Sequence, residues 1–318
     1  MQLLAAPDKF RGTLSAREAA AAIAAGAGRA GWMAVELPLA DGGEGTLEVL
    51  GGGNRRTLVS GPLGAPVEAE WRLEEDGTAL IEAAQACGLT LAGGREGNDA
   101  LRATSRGVGE LIAAAAAEGA ERIIVAVGGV ASTDGGVGAT EAVPHPRLVP
   151  LEVAYDVDAR FLEAADVFAP QKGATPEQVR ILRERLAKLV VPDLPGAGAA
   201  GGLAGGLAAI GARLVPGFDL VAERVGLQER LAKADLVVTG EGLVDATSVT
   251  GKVVGRVLER AEAAGVEALV AAGDVAPESP IAAFSLVASY GAERALAEPA
   301  ECLAELVGTT LATRRNGP

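Results

Sequence analysis

Sulfur, aromatic surface, basic charge and histidine are all scarce in this sequence, and each scarcity closes off a class of chemistry. The two cysteines, Cys87 and Cys302, sit in separate regions without paired spacing. Neither a disulfide framework nor a zinc site is expected, and a reducing cytoplasm fits. The single histidine, His145, is held between Pro144 and Pro146 on an expected surface loop, with no serine or cysteine nucleophile as an evident partner. General acid–base work therefore falls to carboxylates and lysines. Aromatic residues make up only 3% of the chain, which leaves few platforms for stacking bases; an adenine, if bound, would lie among aliphatic side chains. The 28 Lys and Arg against 42 Asp and Glu give a formal charge of −14 and a pI near 4.7. Nucleic acid and anionic membrane surfaces are poor partners for such a chain. No apolar run approaches the ~18 residues of a membrane span, and residues 1–8 lack the basic flank and long apolar core of a signal peptide. The expectation is a soluble cytoplasmic protein that grips any anionic ligand locally.

What the chain does have is length, apolar mass and glycine-rich loops. At 318 residues and 49% apolar it can build two cores, so two α/β domains are expected. The stretch Pro38-Leu39-Ala40-Asp41-Gly42-Gly43-Glu44-Gly45-Thr46 stands out, because an apolar run ends there in two carboxylates interleaved with glycines. In an α/β protein this marks a strand end opening into a crevice. Glycines let backbone N–H groups approach a ligand, and Asp41 and Glu44 suit a hard cation or a hydroxyl. Asp-Gly-Gly alone is also good turn chemistry. Two further strings, Gly128-Gly129-Val130-Ala131-Ser132-Thr133-Asp134-Gly135-Gly136 and Thr239-Gly240-Glu241-Gly242, follow apolar strands in the same way. Three strand ends of one chemistry point to a shared site.

In chain order, residues 3–6 read as a strand and Ser15 with Glu18 as a capping box opening an Ala-rich helix. Asp8, Lys9 and Arg11 then lie on a charged strand-to-helix loop. A second strand covers 35–39. Residues 68–73, a turn at 75–77 and residues 78–82 read as an antiparallel hairpin, foreign to a doubly wound parallel sheet. A second domain is therefore expected to begin near residue 52. Thr104 and Ser105 precede a helix over 108–118, and a strand over 122–127 feeds the 129–138 loop, so these turns are candidate anion contacts. A strand over 151–155 ends at Asp156. Thr175, Pro176 and Gln178 start another helix; Lys172, just outside it, suggests an anionic ligand there unless it points away. Gly196-Ala197-Gly198-Ala199-Ala200-Gly201 formally matches a dinucleotide fingerprint, but prolines precede it in place of a clean strand, so close helix packing or a phosphate loop is the better reading. Gly251-Lys252 is not a Walker A lysine, since Ala246 and Val253 stand where glycine and Ser/Thr are required. Residues 268–272 and 283–289 read as strands before a terminal helix. The topology expected is a Rossmann-like parallel-sheet domain formed by both chain ends (1–52 and 230–318), with an inserted mixed α/β domain (53–229).

This inventory suits phosphoryl transfer, which needs positioning, a Mg²⁺ on carboxylates and donors around the moving phosphate. Asp8, Asp41, Glu44, Asp134, Asp156, Glu241 and Asp245 can supply the first part, and Lys9, Lys172, Lys252 and the glycine loops the second. The residues alone choose no substrate.

Six blocks, taken in order, resemble the successive signatures of the type I glycerate kinase family: residues 7–16, 40–46, 104–111, 170–174, 195–202 and 239–242. The resemblance implies ATP-dependent phosphorylation of D-glycerate, usually to 2-phosphoglycerate with the 3-phosphate as the other outcome, on a two-domain α/β fold. It implies Asp41 or Asp156 as acceptor of the hydroxyl proton, and Lys9 and Lys172 as neutralisers of carboxylate or phosphate. Asp8, Gly42, Gly43, Glu44, Thr104, Ser105, Gly128 and Gly129 would contact substrate or phosphate. Gly196, Gly198, Gly201, Gly202, Gly240, Gly242 and Lys252 would contact nucleotide, and Asp134, Glu241 and Asp245 magnesium. The expected cofactors are ATP and Mg²⁺, and a homo-oligomer is compatible with the reading. Departures are local. The family's Thr-Asn before the loop aspartate is Ser132-Thr133 here, several tens of residues are missing between that loop and Asp156, and an Asn and a Pro are lost after Asp156. A kinase for another small hydroxy acid, or a catalytically silent ligand-binding paralogue, are the competing readings.

Overall fold

Residues Gln2–Ala5 form an interior strand of a parallel sheet to which both ends of the chain contribute. A computed structural model describes residues 1–10, 12–143, 149–249 and 252–315; Arg11, His145 and Gly251 lie outside these. Its strands are β1 (Gln2–Ala5), β2 (Met33–Glu36), β3 (Arg55–Ser60), β4 (Pro66–Leu73), β5 (Thr78–Glu82), β6 (Arg122–Ala126), β7 (Leu151–Tyr155), β8 (Arg213–Pro216), β9 (Leu236–Val244), β10 (Glu267–Val275) and β11 (Phe284–Ser285). They form two sheets, one in each of two units: Met1–Asp41 with Val221–Pro318, and Gly42–Leu220. Among the described residues no helix is long and apolar enough to cross a membrane.

The first unit carries a sheet of order β11-β10-β9-β1-β2, every neighbouring pair parallel. From β1 the chain passes to β2 on one side, whereas from β9 it passes to β10 on the other. The order reverses between β1 and β9, and ligands of open parallel sheets bind beyond the carboxyl ends of the strands at such a point. The crossover helix Ala16–Arg29 starts at the expected capping box, with Glu18 N donating to Ser15 Oγ and Ser15 N to the Glu18 carboxylate. Its buried Ala19, Ala20, Ile23 and Ala27 follow the helical period. Small residues let it approach the terminal helix Pro299–Arg315 closely: a Cβ on Gly26 would lie 2.3 Å from the Ala304 carbonyl oxygen.

The second unit holds a mixed sheet of order β3-β4-β5-β6-β7-β8, antiparallel across β3, β4 and β5 and parallel from β5 to β8. The expected hairpin is β4–β5, and β3 extends it. Trp71 is fully buried on β4, with its indole N–H donating to Thr57 Oγ1 at 2.9 Å. The helix Arg106–Ala117 covers the sheet with Val108, Leu111, Ile112 and Ala115.

Two local expectations are corrected. The Thr239-Gly240-Glu241-Gly242 string is not a loop after a strand, because β9 runs on to Val244, pairing with β10 as far as Val275. Its glycine makes room for that pairing: a Cβ on Gly240 would lie 1.9 Å from the Ala271 carbonyl oxygen. Residues 283–289 form only the two-residue β11. Ser285 then accepts a hydrogen bond from Ala288 N and caps the helix Leu286–Tyr290, so the apolar run serves a helix face.

Candidate functional site

In the first unit the carboxyl end of β1 carries the chemistry. Beyond the strand the backbone stays laddered on both sides: Asp8 N donates to Gly240 O, while Leu37 N and Leu39 N donate to Ala5 O and Pro7 O. Pro38 has no N–H to offer and cannot continue the ladder at its own position. These bonds draw Asp8, Asp41 and Glu241 together. Asp8 is 7% exposed, its Oδ1 accepts from Lys9 N at 2.7 Å, and the Lys9 ammonium is 4.0 Å away. Burial, reinforced by Asp41 and opposed by Lys9, pushes its carboxyl up to about 7. Glu241 is also raised by burial, and its buried Oε1 has no hydrogen-bond partner. Lys252, at the start of the helix Val253–Ala264, lies 4.0 Å from Glu241 and 3.9 Å from Asp245. Asp245 is held below the usual carboxylate range by the Thr247 hydroxyl, with help from its amide. Among the described residues no three carboxylate, cysteine or histidine side chains converge as a ready metal cage. The cluster fits a Mg²⁺ of another kind, one held by one or two carboxylates with its remaining positions taken by phosphate and water. The partnerless oxygen of Glu241 is the observation that favours it.

In the second unit two features form around the ends of β5, β6 and β7. Loop 42–46 lies against the Gly128–Gly129 corner with almost no clearance. A Cβ on Gly128 would sit 2.4 Å from Gly43 Cα, and one on Gly129, at φ +73°, 2.6 Å from the Glu44 side chain. Glycine at 128 and 129 is therefore a packing requirement of the neighbouring loop. Glu82, at the end of the wholly buried β5, accepts from Gly45 N and Leu47 N at 3.0 Å each. The second feature is centred on Asp134. Its carboxylate accepts from Ser105 N and Oγ at 2.8 Å, Gly136 N at 3.1 Å, Gly138 N at 3.2 Å and Thr104 Oγ1 at 3.4 Å. The Ser105 hydroxyl in turn accepts from Ala139 N. The anion received by the 104–105 turn is thus the protein's own, and Asp134, expected on a metal, has its lone pairs committed to the fold.

Lys172 points away from the helix Pro176–Leu186. The turn Pro170–Lys172 carries it inward, where it is 4% exposed and donates to Ser132 O at 2.6 Å. Burial pushes its ammonium down to about 8, against the negative charges of Asp134 and Asp156. Ser132 and Thr133 beside it are buried, with hydroxyls that lack a hydrogen-bond partner. Gly198, Gly201 and Gly202 are explained by packing, since Cβ atoms there would strike Arg160 O, Ser132 O and the Phe161 ring at 2.3, 2.2 and 2.7 Å. Gly196 likewise abuts the Tyr155 ring, and Gly242 O lies 2.5 Å from where a Cβ on Gly273 would be. A hollow of about 970 Å³ beside the terminal helix, lined by Arg29, Phe284 and Tyr290, is remote in sequence from these residues and holds none of them. Glu82 escaped sequence reasoning, whereas Ser132 and Thr133 lay within the glycine loop read as a candidate anion contact without being singled out as its donors. The available signals were a carboxylate closing an apolar strand and two hydroxyls inside a glycine loop.

The glycerate kinase family model matches residues 3–145 and 143–312, with its break where the family's extra residues were expected to be missing. An uncharacterised protein of Mycobacterium bovis is 42% identical over 354 aligned positions, covering 100% of this chain and 93% of that protein. The Escherichia coli glycerate 2-kinase is 37% identical, with 80% of each chain covered. The glycerate kinase of Halalkalibacterium halodurans is also 37% identical, covering 86% of this chain and 85% of its own. A crystal structure described as glycerate kinase 2 from Salmonella typhimurium LT2 superposes with a TM-score of 0.81 at 34% identity, over 99% of this chain and 98% of that one. The six signature blocks, the doubly wound end-to-end sheet with its mixed insertion and these matches agree: the chain belongs to the glycerate kinase family.

Proposed function

We propose that the chain phosphorylates D-glycerate with ATP and Mg²⁺, giving 2-phosphoglycerate. The observation that carries this reading is the pair of buried, incompletely compensated carboxyls, Asp8 and Glu241, flanked by Asp41, Lys9 and Lys252 at the switch point of the first sheet. Buried charge left short of partners by the fold is the signature of groups kept for a ligand. Bound there through Glu241, with Asp245 beside it, magnesium would neutralise phosphate charge and orient the polyphosphate. Lys9 and Lys252 supply positive charge to the nucleotide phosphates. Asp41 accepts the proton as the glycerate hydroxyl oxygen bonds to the γ-phosphorus and the β–γ bridging oxygen departs with ADP; Asp156 is the alternative acceptor. Lys172, with the Ser132 and Thr133 hydroxyls, offers a buried cation and two donors to a carboxylate.

The test is ADP release from the purified protein with ATP, Mg²⁺ and D-glycerate, beside L-glycerate and other small hydroxy acids. Turnover specific to D-glycerate, with a phosphorus spectrum of the 2-phosphate, is the expected result. Turnover with a different hydroxy acid alone overturns the substrate, and none with any acid from folded, ATP-binding protein overturns the kinase reading in favour of a silent paralogue.

A further inference from the structure

We propose that Glu82 is a positioning residue that holds loop 42–46 in its working conformation, a role that rests on the kinase reading above. Glu82 ends a strand whose five residues are all buried and is itself 5% exposed. A carboxylate in such a place is costly unless the fold gives it strong donors. It receives two from one segment: Gly45 N and Leu47 N both donate to Oε2 at 3.0 Å. Hydrogen bonds to an ionised acceptor are about twice as strong as neutral ones.

Loop 42–46 is also closed from within, because Thr46 Oγ1 donates to Gly43 O at 2.7 Å. That bond fixes the loop's shape; Glu82 fixes where the shape sits. The position matters because the neighbouring corner leaves no slack: Gly43 Cα and the Glu44 side chain occupy the space that Cβ atoms on Gly128 and Gly129 would fill. A small slide of the loop would carry Glu44 and the Gly42 and Gly43 amides off register together. Misplacement of a binding group by about 1 Å can cost about 100-fold in rate. Glu82 acts through the loop and touches no reacting atom.

Both of these bonds end on Oε2, so a glutamine carbonyl can keep them, whereas aspartate is a methylene short and alanine offers nothing. The experiment compares Glu82→Gln, Glu82→Ala and Glu82→Asp in the full chain by steady-state kinetics and by hydrogen exchange at the Gly45 and Leu47 amides. Glu82→Gln should keep the protection of both amides and hold kcat/KM for glycerate within about tenfold of wild type. Glu82→Ala and Glu82→Asp should both lose that protection and lower kcat/KM by about 100-fold, with KM for ATP changed less than about threefold. If alanine prevents folding, aspartate carries the same prediction. Loss of amide protection with undiminished kcat/KM would overturn the positioning role while leaving the kinase reading intact. A glutamine variant that keeps the protection of both amides yet is as impaired as aspartate would overturn it too, by showing that Glu82 acts other than by holding the loop. A wild type without turnover would sink the kinase reading itself, and the exchange data would still report separately whether Glu82 anchors the loop.

Discussion

Replacing Asp8 by Asn should make the protein more stable at pH 8 and leave its stability nearly unchanged at pH 4. Burial, reinforced by the negative charge of Asp41 and Glu241 that Lys9 only partly offsets, raises the Asp8 carboxyl from its ordinary 3.8 to about 7 in the fold. Below pH 3.8 both folded and unfolded chains hold the proton, and the residue is neutral in its effect. Between 3.8 and about 7 the folded state alone keeps it, so stability falls as pH rises. Above 7 both states are ionised and the full penalty applies, on the order of 4 kcal/mol at about 1.4 kcal/mol per pKa unit. Asparagine keeps the acceptor that Lys9 N uses and discards the charge. Urea denaturation of both proteins in magnesium-free buffer at pH 4 and pH 8 reads the difference directly. A stabilisation of a few kcal/mol at pH 8 that vanishes at pH 4, with glycerate phosphorylation reduced by orders of magnitude, is the expected pattern. Equal effects at the two pH values, or a less stable variant at pH 8, would refute the claim that the fold bears an uncompensated charge at this position.

Asp134→Ala should lower stability by about 3–5 kcal/mol, because it strands the Ser105, Gly136 and Gly138 donors that its carboxylate now receives. A variant of normal stability that had lost magnesium affinity would show instead that Asp134 is a metal ligand. Gly240→Ala should cost about 3 kcal/mol or more, since its methyl would sit 1.9 Å from Ala271 O unless β9 and β10 part. Near-wild-type denaturation midpoints would contradict that packing.

Features written in local spacing were legible before the structure was known. The capping boxes at Ser15 and Thr175 join residues three apart, and both are present as read. The hairpin and the alternation of strand and helix at the chain ends are periodic patterns of the same short range, and the parallel sheet built from both termini follows from them. What escaped depends on partners far away along the chain. Glu82 meets amides more than thirty residues back, and Asp134 gathers donors from a turn about thirty residues earlier. Lys172 was placed by its distance from a helix start, but the turn Pro170–Lys172 rotates it toward Ser132, forty positions away in sequence. Gly240 reads as a loop residue until β10 is laid beside it.

The glycine strings that first suggested a phosphate-binding site turn out to have separate physical causes. At 128–129 they admit another loop, at 240 a neighbouring strand, and at 198–202 the Arg160 and Ser132 carbonyls and the Phe161 ring. Each would be needed with no ligand at all, so glycine spacing alone discriminates poorly between packing and binding. The charged residues discriminate better. Asp134 accepts from hydroxyls and amides on both of its oxygens and Asp245 accepts from Thr247 on one, so much of their charge is met within the fold. Asp8, Glu241 and Lys172 are buried with their ionisation displaced toward the neutral form, and the fold meets only part of their demand. Selection for stability alone would replace such groups with neutral ones of similar shape. Buried groups whose demand the fold meets only in part are, in each unit taken by itself, the places where a ligand would have most to complete.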